Sequence, residues 1–246
     1  MKKIELKDEE SWWIELRENR EQVKYTFSDK EYSNLERIYI DACSSCEYPF
    51  ADSPILNAPN LKMISVSTSH PNNLPSFDGP IINAPNIKYL MLTGEGSIPY
   101  FQSLIRNCVS PPVFEAVQFL YTGVSQLPDF ILMSHTIEHL TFRHESLSKI
   151  PDTIFQMTSL KHLSFEHVRN IKTIPDDLKK LVNLTQFDLW EASIDYLSPD
   201  LFLLPEINSI SFACSEYKPT PEVLGALKTF KAAGCDRFVP WANFPS

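Results

Sequence analysis

Glycine, basic clusters and long apolar stretches are scarce in this chain, and each shortage limits what the protein can be. Only 6 of the 246 residues are glycine, against 19 prolines, so the chain has many fixed corners and few flexible hinges. No stretch approaches the roughly 18 apolar residues that a membrane helix needs, and we predict no membrane partner. The formal net charge of -9, without a lysine or arginine run, argues against nucleic-acid binding.

Cysteine usage and the first ten residues bear on the compartment. The five cysteines are odd in number and irregularly spaced, which is not typical of a disulfide framework. Residues 1–10 contain two lysines near the start but no apolar stretch behind them, which argues against a secretory signal. We therefore expect a cytoplasmic protein.

The C-terminal half of the chain repeats with a period of about 23 residues, which lies in the range of known repeat architectures. One unit opens at Ile137 and continues through Leu140 and Phe142 to an Ile-Pro-Asp at residues 150–152. The next opens at Leu160 and reaches the same tripeptide at 174–176. Such self-similarity indicates stacked supersecondary units that bury one continuous core.

The N-terminal half repeats with a longer period of about 26 residues. Ile-Leu-Asn-Ala-Pro-Asn-Leu-Lys at 55–62 returns as Ile-Ile-Asn-Ala-Pro-Asn-Ile-Lys at 81–88, and a strand-like run follows each copy. The unit openings across both halves are Leu35, Leu61, Ile87, Phe114, Ile137, Leu160, Leu184 and Ile207.

These units resemble the leucine-rich-repeat family, whose template reads LxxLxLxxNxLxxIPxxLxxLxx. The resemblance implies an α/β solenoid of about eight repeats, with a curved parallel β-sheet on the concave side and short helices, 3₁₀ turns and loops on the convex side. Repeats would span residues 35–215, with the longer units to 113 and the shorter units after it. We expect an N-terminal cap at 1–34, read as a β-hairpin over residues 13–27, and a C-terminal cap at 216–246 with one helix starting near Thr220.

The family's ladder position, usually asparagine, departs from the template here. It holds Cys43, Ser69, Glu95, Thr122, Glu145, Ala192 and Ser215, with Asn170 displaced by a one-residue insertion. Two glutamates and an alanine are unusual at this position, so we expect the side-chain ladder to be broken near those units.

The alternation within each strand sends every second side chain away from the core. Tyrosine, tryptophan and arginine, the residue types enriched in interface hot spots, recur at these outward positions. We therefore predict a non-enzymatic protein–protein interaction module, adaptor-like or effector-like, that needs no cofactor and binds a protein through the concave face. The oligomeric state stays open. The predicted binding residues are Arg37, Tyr39, Met63, Tyr89, Met91, Gln118, Tyr121, His139, Arg143, His162, Glu166, Asp188 and Trp190.

An alternative function comes from histidines on two adjacent predicted strands. His139 would lie beside His162, and His144 beside His167, so the cluster could respond to pH or to a metal ion. The more ordinary interpretation is a polar hydrogen-bonding patch, and we predict no metal site.

Two further motifs have a structural interpretation that we favour. The Cys-Ser-Ser-Cys at 43–46 is solitary, and Cys43 falls on the ladder position, where a small buried thiol is expected. His162, Ser164 and Asp188 could form a hydrolase site, but no nucleophile elbow accompanies them. We predict no catalytic residues.

Overall fold

The computed structural model describes residues 2–5, 7, 9–16, 23–26, 31–42, 56–68, 82–106, 108, 112–213, 217–234 and 237–239. Two compact units divide the chain, Met1–Thr122 and Gly123–Ser246. The Cys-Ser-Ser-Cys motif lies outside the described residues.

The first unit is built on a parallel sheet with one strand per repeat. Its strands follow the order β2-β4-β6-β8-β9. Shorter parallel pairs, β1 with β3 and β5 with β7, lie outside that sheet. The elements are β1 (Lys2–Glu5), β2 (Ser11–Leu16), β3 (Val23–Thr26), β4 (Arg37–Ala42), β5 (Leu56–Asn57), β6 (Met63–Thr68), β7 (Ile82–Asn83), β8 (Tyr89–Thr93), α1 (Ser97–Leu104) and β9 (Ala116–Leu120).

The second unit is also built on a parallel sheet with one strand per repeat, and the segments between its strands are shorter. Its sheet order is β10-β11-β13-β15-β16, again parallel, and a short pair β12-β14 lies apart. The elements are α2 (Asp129–Leu132), β10 (His139–Arg143), β11 (His162–Glu166), β12 (Thr173–Ile174), β13 (Gln186–Trp190), β14 (Tyr196–Leu197), β15 (Ser209–Ala213), α3 (Pro221–Ala232) and β16 (Arg237–Val239). Three 3₁₀ helices lie between strands, at Asp152–Gln156, Asp176–Lys180 and Pro199–Leu203.

Aromatic side chains form the core of the second unit. The rings of Phe142 and Phe165 stack with centroids 5.3 Å apart, and Phe187 packs 6.3 Å from Phe165. Phe142 and Phe165 are opposite each other in the strand register, whereas Phe187 is opposite Leu163. Because these positions alternate with outward ones along each strand, inward side chains of successive repeats meet in the core. The parallel sheets and buried apolar positions are those expected of an α/β repeat protein of the leucine-rich-repeat kind.

Prolines set the start of the short helices, as the Ile-Pro and Leu-Pro motifs predict. The carbonyl oxygens of Pro128, Pro151 and Pro175 each accept a hydrogen bond from the N–H three residues later. Where the proline is shifted by one, Ser198 precedes the helix and its hydroxyl accepts from the Asp200 N–H. Proline suits this place because the first turn of a helix leaves its N–H groups unpaired.

The structure replaces the predicted N-terminal hairpin with parallel pairs. Strand β2 pairs in parallel with β4, placing Trp13 opposite Tyr39, and β3 pairs in parallel with β1. The physical reason is periodicity, because Trp13 precedes Tyr39 by the same interval that separates Tyr39 from Ser65 in the next strand. Residues 11–16 therefore extend the repeat sheet.

At the other end, helix α3 begins where the sequence suggests. The Thr220 hydroxyl accepts from the Val223 N–H, and Pro221 occupies the first turn. The ring of Phe230 packs 6.0 Å from Phe202, which lies in the last 3₁₀ helix. This helix covers apolar side chains of the preceding repeat, and strand β16 then pairs with β15.

The ladder position differs from the prediction in one repeat. Asn170 does not take part, because it is exposed, and Val168 lies buried at the equivalent place, one repeat after Glu145. Glu145 itself is buried, and its carboxylate accepts a hydrogen bond from the Val124 N–H. The ladder position is therefore apolar in the two repeats that hold Val168 and Ala192.

In the longer, N-terminal repeats, asparagine amides link one turn to the next at a different place. The Asn86 side chain donates to the Pro59 carbonyl at 2.7 Å, and Asn60 donates to the Ser33 carbonyl at 2.8 Å. This explains why the Ala-Pro-Asn motif recurs, since the alanine is buried and the asparagine reaches the previous turn.

Replacing Asn86 by alanine should therefore lower the free energy of unfolding by about 1 kcal/mol, the usual net contribution of one hydrogen bond. Urea denaturation followed by circular dichroism would measure it. Asn170→Ala, at an exposed asparagine, is the matched control and should change stability by less than about 0.5 kcal/mol. Equal effects of the two variants would contradict the assigned role of Asn86.

None of the helices in the described part of the chain combines the length and apolar character that crossing a bilayer requires.

Candidate functional site

The outward face of the first unit's sheet carries a cluster of large side chains that we call the aromatic patch: Trp13, Tyr39, Met63, Tyr89 and Met91. The rings of Trp13 and Tyr39 stack in parallel with centroids 4.0 Å apart. The Tyr39 hydroxyl lies 3.8 Å from the Met63 sulfur, and Tyr89 is opposite Met63 in the strand register. Trp13 remains 73% exposed, so one face of this stack is open to solvent.

Trp13 is a candidate functional residue that the sequence does not predict. The sequence pattern indicates a cap residue, whereas the parallel register of β2 places Trp13 on the outward face. Its spacing of one full repeat from Tyr39 was the signal that could have found it.

The remaining predicted residues of the first unit lie around this patch. Arg37 forms an ion pair with Glu10 beside it, and Gln118 is half-buried opposite Met91. Tyr121 is exposed, but it lies one residue beyond β9, where its backbone is left-handed with φ of 54°. Its side chain therefore leaves from the turn that follows the strand.

The outward face of the second unit's sheet is more polar and forms three rows across the strands. The first row contains His139, His162, Gln186 and Ser209, and the second, which we call the central row, contains Thr141, Ser164, Asp188 and Ser211. The third contains Arg143, Glu166, Trp190 and Ala213. Side chains of the central row are the most buried, because longer neighbours flank them on both sides.

Asp188 corrects one expectation, since the strand alternation predicts an exposed side chain and the structure leaves only 8% of the residue exposed. Its Oδ2 lies 2.7 Å from His162 Nε2 and accepts a hydrogen bond of 2.7 Å from Gln186 Nε2. Both neighbours lean over the carboxylate to make these bonds, and this covers it. Trp190, two residues later, is 43% exposed.

The predicted histidine pairs do come together. His139 and His162 meet edge to face with centroids 5.8 Å apart, while His144 and His167 stack with centroids 4.2 Å apart. His167 Nδ1 also lies 2.8 Å from Glu191 Oε2. In the described part of the chain, however, no group of three or more His, Cys, Asp or Glu side chains could hold a metal ion.

His144, His167 and Glu191 share an unusual backbone conformation. Each follows directly after its strand and has a left-handed φ between 53° and 57°. Each N–H donates to the carbonyl of the last residue in the next strand, at 2.7 to 2.8 Å. Glycine adopts this conformation without steric cost. Larger residues at the same position in three successive repeats therefore indicate a role for their side chains.

The stacked histidine pair predicts a pH effect on stability. Partial burial, with the positive charges of His167 and Arg143, lowers the pKa of His144 below its ordinary value of 6.5, although Glu191 and Glu166 oppose this. Below about pH 6.5 the unfolded chain therefore binds more protons at this histidine than the folded protein does. As the pH is lowered from there, the free energy of unfolding decreases until the pH reaches the lower pKa of His144 in the folded protein. Between pH 7.5 and 5.5 the melting temperature of the wild type should fall more than that of His144→Gln. If the melting temperatures of both proteins fall by the same amount over this pH range, His144 does not cause the pH dependence of stability.

The geometry gives the hydrolase hypothesis no support. A catalytic triad holds its serine on one imidazole nitrogen and its aspartate on the other. Here Asp188 holds Nε2, no hydrogen bond joins the described residues Ser164 and His162, and Ser164 is only 3% exposed.

The strand register and the buried apolar positions fit a leucine-rich-repeat-like α/β fold. No family model matches the chain, and no curated protein matches it. Among solved structures, a leucine-rich-repeat protein of Leptospira interrogans is similar at 16% identity over 78% of this chain and 70% of that chain, with a TM-score of 0.27. Function is not transferred at this level of similarity.

Proposed function

We propose that this chain is a non-enzymatic protein-interaction module that binds a protein partner through the outward face of its parallel sheets. The observation that carries the proposal is the aromatic side chains that this face leaves in solvent. Trp13 and Tyr89 are exposed on the first unit's sheet and Trp190 on the second unit's sheet. Large aromatic groups that do not contribute to the core are the residues on which interfaces most depend.

The surroundings of these aromatic residues also suit binding. The aromatic patch of the first unit holds two methionines, whose flexible side chains adapt to a partner's surface. In the second unit, Trp190 is bordered by Glu166, which is itself oriented by an ion pair with Arg143 at 3.0 Å. Apolar anchors surrounded by oriented polar groups match the core-and-rim arrangement of protein interfaces. The cytoplasm is the compartment that we propose, because the cysteines are odd in number and irregularly spaced.

Affinity capture from the source organism's lysate tests this function. The sheet-face variant carries Trp13→Ala, Tyr89→Ala and Trp190→Ala, and it should keep its fold because all three side chains are exposed. The control variant carries Met133→Ala, Val182→Ala and Leu203→Ala, three exposed apolar residues outside the strands. Wild type and control should retain the same protein, and the sheet-face variant should lose it by at least about tenfold. Loss with the control variant alone, or equal retention by all three, would overturn the proposal.

A pH-responsive form of the same binding is the second candidate. It is favoured by the left-handed backbone at His144 and His167, where side chains larger than glycine are kept at a steric cost. The charged groups around this pair are Arg143, Glu166, Arg169 and Glu191. Capture at pH 7.5 and at pH 6.0 should differ for the wild type and agree for a His144→Gln/His167→Gln variant. The same change with pH in both proteins would exclude these histidines as the switch.

A further inference from the structure

We infer that the second unit's sheet face binds an arginine-bearing, basic segment of its partner, with Asp188 and Trp190 as the recognition groups. This inference rests on the proposed function and names the chemistry of the partner. Three observations carry it: the hydrogen bonding of Asp188, the exposure of Trp190 in the adjoining row, and the charge of the chain.

Asp188 has acceptor capacity that the protein does not use. Both of its hydrogen bonds, from Gln186 and with His162, reach the same oxygen, Oδ2. Among the described residues no donor reaches Oδ1, and 12% of the side chain stays exposed, so a partner's donor can approach the carboxylate. A carboxylate that is mostly buried forms a strong hydrogen bond with a cationic donor, because the interaction is less screened there.

Trp190 supplies the second half of the recognition. It belongs to the same strand as Asp188, two residues on, so both side chains leave the same face of the sheet about 7 Å apart along the strand. A guanidinium is planar, offers five N–H donors and stacks on aromatic rings. A single arginine side chain can therefore contact the indole and reach the neighbouring carboxylate.

The charges around this place favour a cation over an anion. Glu166 is opposite Trp190 in the register, and Glu191 follows it directly. Arg143 and Arg169 pair with these glutamates and offset their charges, so Asp188 supplies the negative charge that remains beside Trp190. With a formal net charge of -9 on the whole chain, long-range steering also favours a basic partner.

Fluorescence anisotropy with two labelled peptides tests the inference directly. In one peptide arginine alternates with serine, and in the other lysine alternates with serine. The arginine peptide should bind wild type several-fold more tightly than the lysine peptide, because only the guanidinium stacks well. Asp188→Asn should weaken arginine-peptide binding by about tenfold and Trp190→Ala by a few-fold.

The matched control is Asp195→Asn, which changes the net charge by the same amount at an exposed aspartate outside the strands. It should leave the affinity within about twofold of wild type, since a single distant surface charge is largely screened. Thermal melts check each fold. If Asp188→Asn does not fold, Trp190→Ala and the arginine–lysine comparison decide the question.

Equal weakening by Asp188→Asn and Asp195→Asn would overturn the inference, because binding would then follow net charge alone. Absence of arginine-peptide binding to wild type would overturn it as well. In either case a partner captured by the wild type and lost by the sheet-face variant would leave the proposed function standing. If the arginine peptide does not bind and no partner is lost by the sheet-face variant, the inference and the proposed function are both wrong.

Discussion

Replacing Phe165 by alanine should lower the free energy of unfolding by about 3–5 kcal/mol, a large part of the stability of a domain this size. Phe165 is fully buried and is packed between Phe142 and Phe187 in successive repeats. Truncating it removes the contact with both neighbours and leaves a cavity that the stacked strands cannot easily close. Urea denaturation followed by circular dichroism would measure the loss.

Val182→Ala is the control for this experiment, because it removes an exposed apolar side chain from the same unit and should change stability by less than about 0.5 kcal/mol. If Phe165→Ala lowers the free energy of unfolding by less than about 1 kcal/mol, the contacts of Phe165 with Phe142 and Phe187 are not what holds these repeats together.

Replacing Phe230 by alanine should also cost about 3–5 kcal/mol, with a different structural outcome. Phe230 anchors helix α3 on Phe202, and Phe202 in turn packs 6.4 Å from Phe212 of β15. The helix is the last one in the described part of the chain, so losing its anchor should open the end of the stack before its interior.

Hydrogen exchange resolves this order. In Phe230→Ala, amides of α3 and β15 should exchange much faster than in wild type, while those of β10 and β11 should change little. Lys228→Ala, at an exposed position of the same helix, is the control and should leave both regions protected. Uniform acceleration across the unit would contradict a separate closing role for the helix.

Much of the fold could be predicted because the repeat encodes it redundantly. Phe142, Phe165 and Leu189 occupy equivalent places in successive units, and the period-two alternation of each strand sends them inward. The prolines before the short helices were predictable for the same reason, since the same chemistry recurs at the same offset.

The sequence predictions are wrong where the position of a residue depends on its contacts with other residues and not on the repeat period. The sequence pattern predicts Trp13 to be a cap residue because its repeat lacks the Ala-Pro-Asn signature, although Trp13 precedes Tyr39 by one full repeat. At the ladder position, the template predicts Asn170, because asparagine is expected there, but the buried residue is Val168.

The candidate site was predictable in position and not in detail. The strand pattern places Asp188 on the outward face, but no pattern indicates that His162 and Gln186 lean over it and bury it. Side-chain rotamers and hydrogen bonds between neighbouring strands decide this, and a single sequence does not contain them. The same holds for the left-handed backbone at His144 and His167.

Site-specific photo-crosslinking tests the central claim, that a protein partner docks on the outward sheet face, most directly. A photoreactive benzoylphenylalanine would replace Tyr89 or Trp190 on the sheet face, and Val182 or Leu203 outside the strands, all four being exposed. Crosslinking in the source organism's lysate should give one common adduct from the sheet positions and none from the two controls. Adducts from Val182 or Leu203, with none from Tyr89 or Trp190, would contradict the proposal and move the binding surface to the segments between the strands.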